Sequence, residues 1–415
     1  MQGDEESRCR SKGVEVLASR GLAVVPLASR ASACQVANVT AAPARAPDVS
    51  FRHELDHAID RGLAWLLANQ NSNGWWSVPD NPAVTALALA AFLGEPSGKY
   101  RTNQPAELKQ GFAYVLASAQ PDGSIQRGKL ANYNTALCMM ALGLSGDPVY
   151  NDTLRRARAF VIGLQRDDGA PGKLDGRFDG GIGYGDSRPV ADLVNTLTAL
   201  EGLRATEYVV WKANAAKNRN DREGTTNAVP DLNWEAAIRF IENCQNLPKY
   251  NTQAWVSTSP RDLGGFVYAP ADSKAGGETN ADSGRVALRS YGSISYAGLL
   301  SYIYADVKGD DPRVVAVLDW LRANYTLDEN PGMGEQGFYY YLHLMVKGLN
   351  AAGVDTIQLQ DGRKVNWRQE VALRLLDLQQ RDGSWVNRNN RWWEKDPSLV
   401  TAYAVLALEI IYRRI

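Results

Sequence analysis

Two stretches far apart in the chain end in the same way. "RGLAWLLANQNSNGWWS", Arg61–Ser77, closes a helix-like run with Gln70, Gly74 and Trp76. "ALRLLDLQQRDGSW" does so with Gln379, Gly383 and Trp385. Between them the order of polar-faced helix, Gln/Gly/aromatic punctuation, loop and apolar helix recurs. "LKQGFAYVLASAQPDGSIQRGKLANYNTALCMMALGL" is a second copy, and "LRRARAFVIGLQRDDG" with "GGIGYGDSRPVADLVNTLTALEGL" is a third. "WEAAIRFIENCQNL" with "DLGGFVYAP" and "SYGSISYAGLLSYIYADV" is a fourth with a longer loop. "RVVAVLDWLRANYTLDENPGMGEQGFYYYLHLMVKGL" is a degenerate fifth without the Gln, and "DPSLVTAYAVLALEIIY" completes the sixth. A fixed internal period of this kind constrains the fold more than any composition does.

The two helices of a unit differ. In Arg61–Asn69 the apolar side chains form one stripe, the pattern of a helix with one wet face. In Val84–Leu93 they point in every direction, which requires burial all round. Each unit therefore supplies one outer and one inner helix. Six units predict an all-α fold, an (α/α)6 toroid of six inner–outer helix pairs enclosing a hollow. In each clamp, Gln is placed to bond the last unpaired carbonyls of the outer helix. Gly permits the left-handed stop, and Trp packs across the helix end while its N–H finds a partner.

Residues 1–50 read differently. "RGLAVVPLASRASACQ" has a basic residue, a short apolar run broken by Pro26 and small residues before Cys34, and "AAPARAPDVS" resembles a linker. This stretch is expected to be a disordered tail or degenerate export signal with a linker, leaving residues 51–415 as one toroid domain. Exported and cytoplasmic locations are equally compatible with it. No apolar run reaches the roughly 18–20 residues of a membrane span, although peripheral membrane contact stays open. The net charge of −1 argues against nucleic acid as a partner. Four cysteines without a CxxC spacing, and three histidines, argue against a zinc site, so neither metal nor cofactor is expected.

The clamp, [R/K][G/A]xx[aromatic][L/I/V]xxxQxxxGxW, resembles the QW repeat of squalene and terpenoid cyclases and of protein prenyltransferase β subunits. Arg61, Gly62, Trp65, Leu66, Gln70, Gly74 and Trp76 match every position. The third unit matches at Arg156, Ala157, Phe160, Val161, Gln165 and Gly169, with Pro171 in place of Trp; the second keeps Gly123, with Gln120 one position late and Ile125 for Trp. The chain from about residue 55 onward most resembles bacterial prenyltransferase/squalene-oxidase-repeat proteins. The resemblance implies an isomerase-like cyclase activity on a polyprenyl or triterpenoid substrate, or a non-catalytic toroid binding an isoprenoid, glycan or protein.

The family's proton donor, an Asp in D-x-D-D-[ST]-A at the start of an inner helix, is absent: Asn134, Asn195, Val84 and Val400 stand where its last Asp would fall. His343 lacks the Asp/Cys partners of a zinc prenyltransferase. "GMGEQ", Gly332–Gln336, has Met where a thioester domain needs Cys. Inner-helix N-termini should gather at one mouth of the ring, a reasonable anion seat. Asp192, Asp282 and Asp396 are the candidate acids. Tyr133, Asn134, Asn195, Tyr296, Tyr340, His343 and Trp393 are the candidate ligand contacts, in an aromatic-lined cavity suited to an apolar, isoprenoid-like molecule. The polar segments Ala205–Trp234 and Thr252–Arg289 are expected as lids.

Overall fold

The computed structural model describes residues 49–186, 190–210, 231–279, 281 and 283–415. The expected tail and linker fall almost wholly outside the described residues, as do most of Ala205–Trp234 and the candidate acid Asp282.

Among the described residues, outer and inner helices alternate six times. The outer helices are α1 (Val49–Ala68), α3 (Ala106–Leu116), α5 (Asn151–Ile162), α7 (Trp234–Glu242), α9 (Pro312–Ala323) and α11 (Trp367–Leu378). The inner helices are α2 (Pro82–Gly94), α4 (Ala131–Ser145), α6 (Leu193–Ala205), α8 (Gly292–Tyr304), α10 (Phe338–Ala351) and α12 (Pro397–Tyr412). Burial follows the two sequence patterns. α1 buries Leu55, Ala58, Ile59, Gly62, Leu63 and Leu66, one face at helical spacing. α2 buries every residue from Pro82 to Gly94. The segment Thr252–Arg289 contributes a short antiparallel hairpin, Gly277–Thr279 with Val286–Leu288, and a small cluster of Trp255, Val256, Val267 and Leu288.

Each inner helix packs on the next, α2 on α4, α4 on α6, α6 on α8, α8 on α10 and α10 on α12. α12 then packs on both α1 and α2, so the ring is closed. Hydrogen bonds cross the seam: Arg61 Nη2 donates to the carbonyls of Gln380 (2.7 Å) and Arg381 (2.8 Å), and Arg52 Nη1 donates to the carbonyl of Ile415 (2.9 Å). Closure leaves no end helix with an uncovered apolar face, the problem that open repeat arrays solve with capping units.

The clamps hold units together, and here the structure corrects the expected chemistry. Gln70 Nε2 does not reach the end of its own helix. It donates to Gly74 O (3.0 Å) and to Glu107 O in the first turn of the next outer helix (2.8 Å). Gln165 joins Gly180 O to Asn233 O, Gln245 joins Gly264 O to Arg313 O, and Gln379 joins Gly383 O to Ala58 O. A buried carbonyl near the helix end is taken by tryptophan instead: Trp76 Nε1 donates to Leu66 O (2.7 Å) and Trp385 Nε1 to Leu375 O (2.8 Å). The glycine is required twice over. Gly383 has φ +98°, and a Cβ there would lie 2.6 Å from Arg61 O; Gly74, at φ +93°, would clash likewise with Gln110 O.

The third unit's alignment also changes. Its clamp glycine is Gly180, not Gly169, and Ile182 rather than Pro171 takes the tryptophan's place. The backbone settles this. The residue at that place donates its N–H to an inner-helix hydroxyl in five units: Trp76 to Thr85, Ile125 to Thr135, Ile182 to Thr196, Phe266 to Ser295 and Trp385 to Thr401. In the second unit Ala119 occupies the glutamine's place, and Gln120 turns onto Ser118 O and Gln126 O instead.

Candidate functional site: the barrel axis and its mouth

Inner-helix residues spaced three or four apart face the axis together. Running down from the N-terminal mouth these are Tyr133, Leu137 and Met140 on α4, Leu197, Thr198 and Glu201 on α6, and Tyr340, His343 and Lys347 on α10. Leu87, Ala90, Leu344, Tyr403 and Leu406 complete the lining. The cavity they line has a volume of about 30 Å³. On that scale one water needs roughly 10–15 Å³, so the axis as it stands has room for about two waters. The hollow expected from the repeats is therefore nearly filled, because tyrosines and long side chains from facing helices meet across the axis.

Three aromatics close the mouth side. Tyr133 and Tyr403 hydroxyls are hydrogen-bonded at 3.1 Å, the Tyr340 and Tyr403 rings lie 5.7 Å apart, and the His343 and Tyr403 rings lie 5.1 Å apart. Tyr133 and Tyr340 remain partly exposed, so this is the solvent side of the cup. Burial pushes the Tyr133 hydroxyl up to about 12. Toward the other end of the axis, Lys347 Nζ is paired with Glu201 Oε1, and Tyr304 donates to the same oxygen at 3.2 Å. His343 is buried and its Nδ1 has no hydrogen-bond partner. Burial and the Lys347 charge hold its pKa well below the usual imidazole value, so the ring is neutral.

Of the two candidate acids among the described residues, Asp192 is the buried one; it sits at the N-terminus of α6 and, like Asp396, does not line the cavity. It is 2 % exposed and caps α6, accepting from Asn195 N (2.9 Å) and Asn195 Nδ2 (2.7 Å). Burial raises its pKa to about 6, against the pull of the Asn195 and Tyr268 donors. Its field is felt at Tyr268, Tyr291 and Tyr340. Asp396 caps α12 through Ser398 N (2.9 Å) and does not line the cavity.

The remaining candidates disperse. Asn134 Oδ1 accepts from Ala83 N (2.8 Å), so it caps the neighbouring helix α2. Asn195 is committed to Asp192 and to Asn132. Tyr296 packs on Tyr341 (rings 5.8 Å apart) between α8 and α10, off the cavity, and Trp393 is 47 % exposed on the surface. The axis also uses Tyr403, Thr198, Glu201 and Lys347, which were not anticipated. Two of these had a legible signal: a lone charge inside an otherwise apolar inner helix.

At the mouth, oxygens of the protein itself occupy several of the inner-helix N-terminal amides. The N-terminal amides of the inner helices are taken by groups of the following unit: α2 by Asn134 Oδ1, α4 through Asn132 N to Tyr184 O, and α6 through Leu193 N to Tyr268 O. Asn330 Oδ1 accepts from Ser293 N (2.9 Å) on α8, and the buried Glu394 accepts from Tyr340 N (2.8 Å) and Tyr339 N (3.3 Å) on α10. Five of the six inner helices thus take an oxygen acceptor at the N-terminus from the next unit, as the helix dipole favours, while α12 is capped by its own Asp396. Outside the barrel, an open groove of about 620 Å³ runs along the seam past Trp65, Arg381, Asp382 and Lys395; none of the candidate residues lies in it. Among the described residues no group of His, Cys, Asp and Glu is arranged to hold a metal ion, and no helix is long and apolar enough to cross a membrane.

No family model matches the chain, and no curated protein matches it in sequence. Solved structures are similar at low identity. The type II terpene cyclase MstE from Scytonema, in complex with geranylgeranyl dihydroxybenzoate, aligns with a TM-score of 0.49 and 12% identity over 88% of this chain and 99% of its own. The apo form of that enzyme aligns at 0.47 and 12% over the same shares. A protein from Actinoplanes aligns at 0.46 and 13%, over 86% of this chain and 99% of its own.

Proposed function

We propose that this chain is a terpenoid-cyclase-like toroid that takes an apolar, isoprenoid-type molecule into the mouth of its barrel. The observation that carries this reading is the aromatic cup. Tyr133 and Tyr340 are partly exposed at the mouth, and Leu87, Leu137, Met140 and Leu406 lie beneath them. A largely apolar, concave surface with few convergent polar groups suits such a ligand. With about 30 Å³ free, entry requires the tyrosines to swing toward the mouth. If chemistry occurs there, Asp192 is the acid: its carboxyl is protonated in part near pH 6, beside tyrosine rings able to stabilise a cation. Purified protein is incubated with squalene, oxidosqualene and prenyl diphosphates, with products followed by mass spectrometry and binding by calorimetry. Neither turnover nor binding with any of them removes this reading.

The second reading, a binding toroid without catalysis, is favoured by the use of both Asp192 oxygens in capping α6. Binding that survives Asp192→Asn, with no turnover in either protein, selects it.

A further inference from the structure

We infer that the deep end of the barrel axis is a recognition site for one neutral oxygen, an alcohol hydroxyl, on the ligand; this rests on the barrel binding an apolar molecule at all. An ion pair buried in an apolar core is weak ground for stability, because desolvation offsets its attraction. Yet Glu201 and Lys347 side chains are 5 % and 4 % exposed and both line the cavity. The pairing leaves capacity unused. An ammonium carries three donors, and among the described residues Lys347 gives one, to Glu201. Glu201 in turn is held from the other side by Tyr304.

One helical turn from Lys347, on the same face of α10, His343 lines the same cavity, 5 % exposed, with Nδ1 unpartnered. Lys347 can only donate, and a neutral imidazole has one nitrogen that only accepts, here assigned to the unpartnered Nδ1. Together they complement a hydroxyl, which accepts from the first and donates to the second. A hydrocarbon would leave both unpaired, at a cost in affinity. A carboxylate would bring an uncompensated charge into a site that Glu201 and Lys347 already make neutral. The ligand class is therefore a terpenoid alcohol seated hydroxyl-inward, with its apolar chain toward the tyrosine mouth.

The test compares three probes of equal chain length, farnesol, β-farnesene and farnesoate, titrated calorimetrically against the full chain. Farnesol should bind roughly tenfold more tightly than either of the others, the effect of one hydrogen bond to a charged group. The variant Glu201→Leu/Tyr304→Phe/Lys347→Met leaves no polar atom of the pair behind, and should keep its melting transition while losing that preference. His343→Leu, a milder change, should reduce the preference several-fold. Equal binding of farnesol and farnesene, or a preference unaltered in folded variants, overturns this inference and leaves the apolar barrel site standing. If none of the three binds, the barrel reading itself falls and the hydroxyl site with it.

Discussion

The side-chain amide of Gln379, in the last clamp of the chain, donates to the carbonyl of Ala58 in the first helix at 2.9 Å, joining residues 321 positions apart. The same amide holds Gly383 O at 2.9 Å, so one side chain both fixes the turn after the last outer helix and locks the ring. Gln70, Gln165 and Gln245 make the equivalent link between sequence neighbours, so the seam uses the same bond as the interior joints.

Gln379→Ala removes both bonds and leaves two part-buried carbonyls without that donor. A loss of roughly 2 kcal/mol in unfolding free energy is expected, measured by urea denaturation. Gly383→Ala should cost at least as much, because its Cβ would press on Arg61 O in a left-handed backbone. Unchanged midpoints would mean that helix packing alone closes the ring.

Trp385 is fully buried, with its ring nitrogen on Leu375 O and its backbone N–H on the Thr401 hydroxyl. Trp385→Phe keeps most of the packing but leaves the carbonyl unpaired, at about 1–3 kcal/mol. Thr401→Val removes the hydroxyl with little change of shape and should cost on the order of 1 kcal/mol. Equal stability of Trp385→Phe and wild type in chemical denaturation would show that the ring nitrogen contributes nothing.

Glu409 lies fully buried on α12 with neither carboxyl oxygen hydrogen-bonded. Burial holds its pKa well above the ordinary 4.5, against the partial help of Arg413. The unfolded chain thus ionises before the folded one. Stability is greatest below pH 4.5 as far as this group is concerned, and falls as pH rises toward the folded value, by up to about 1.4 kcal/mol per unit. Glu409→Gln should remove that decline, so its melting temperature should exceed wild type at pH 7 and approach it near pH 4. A variant less stable than wild type at pH 7 would contradict this account.

Asp192 has the same sign over a narrower window. Its pKa is raised from 3.8 to about 6. The stability it contributes is complete below pH 3.8 and is lost as pH rises through 6. Asn is as good a helix cap as Asp, so Asp192→Asn should preserve the fold and flatten the stability profile between pH 4 and 6. Thermal melts across that range decide it: an unchanged slope would mean that Asp192 stays ionised throughout.

Much of the architecture follows from local rules. One-sided apolar spacing in Arg61–Asn69 and all-round apolarity in Val84–Leu93 assign outer and inner helices before any contact is known. The Gln/Gly/Trp punctuation at Gln70 and Gln379 marks where outer helices stop. These features depend on residues within one or two turns of each other, and helical periodicity writes such relations directly into the order of the chain.

What met across the ring was decided only in three dimensions. Gly169 sits at the expected spacing from Gln165, yet Gly180 makes the clamp, because the close approach of Ala236 O excludes a Cβ there and an extended loop can deliver it. Asn134 is a candidate ligand contact in sequence, yet it caps the inner helix of the preceding unit, as the buried Glu394 does, a role set by a neighbour far away in the chain. The filling of the axis by Tyr133, Tyr340, Tyr403 and the Glu201–Lys347 pair depends on four helices converging at one radius. Periodicity tells which residues point inward; how much space remains where they meet is a property of the closed ring.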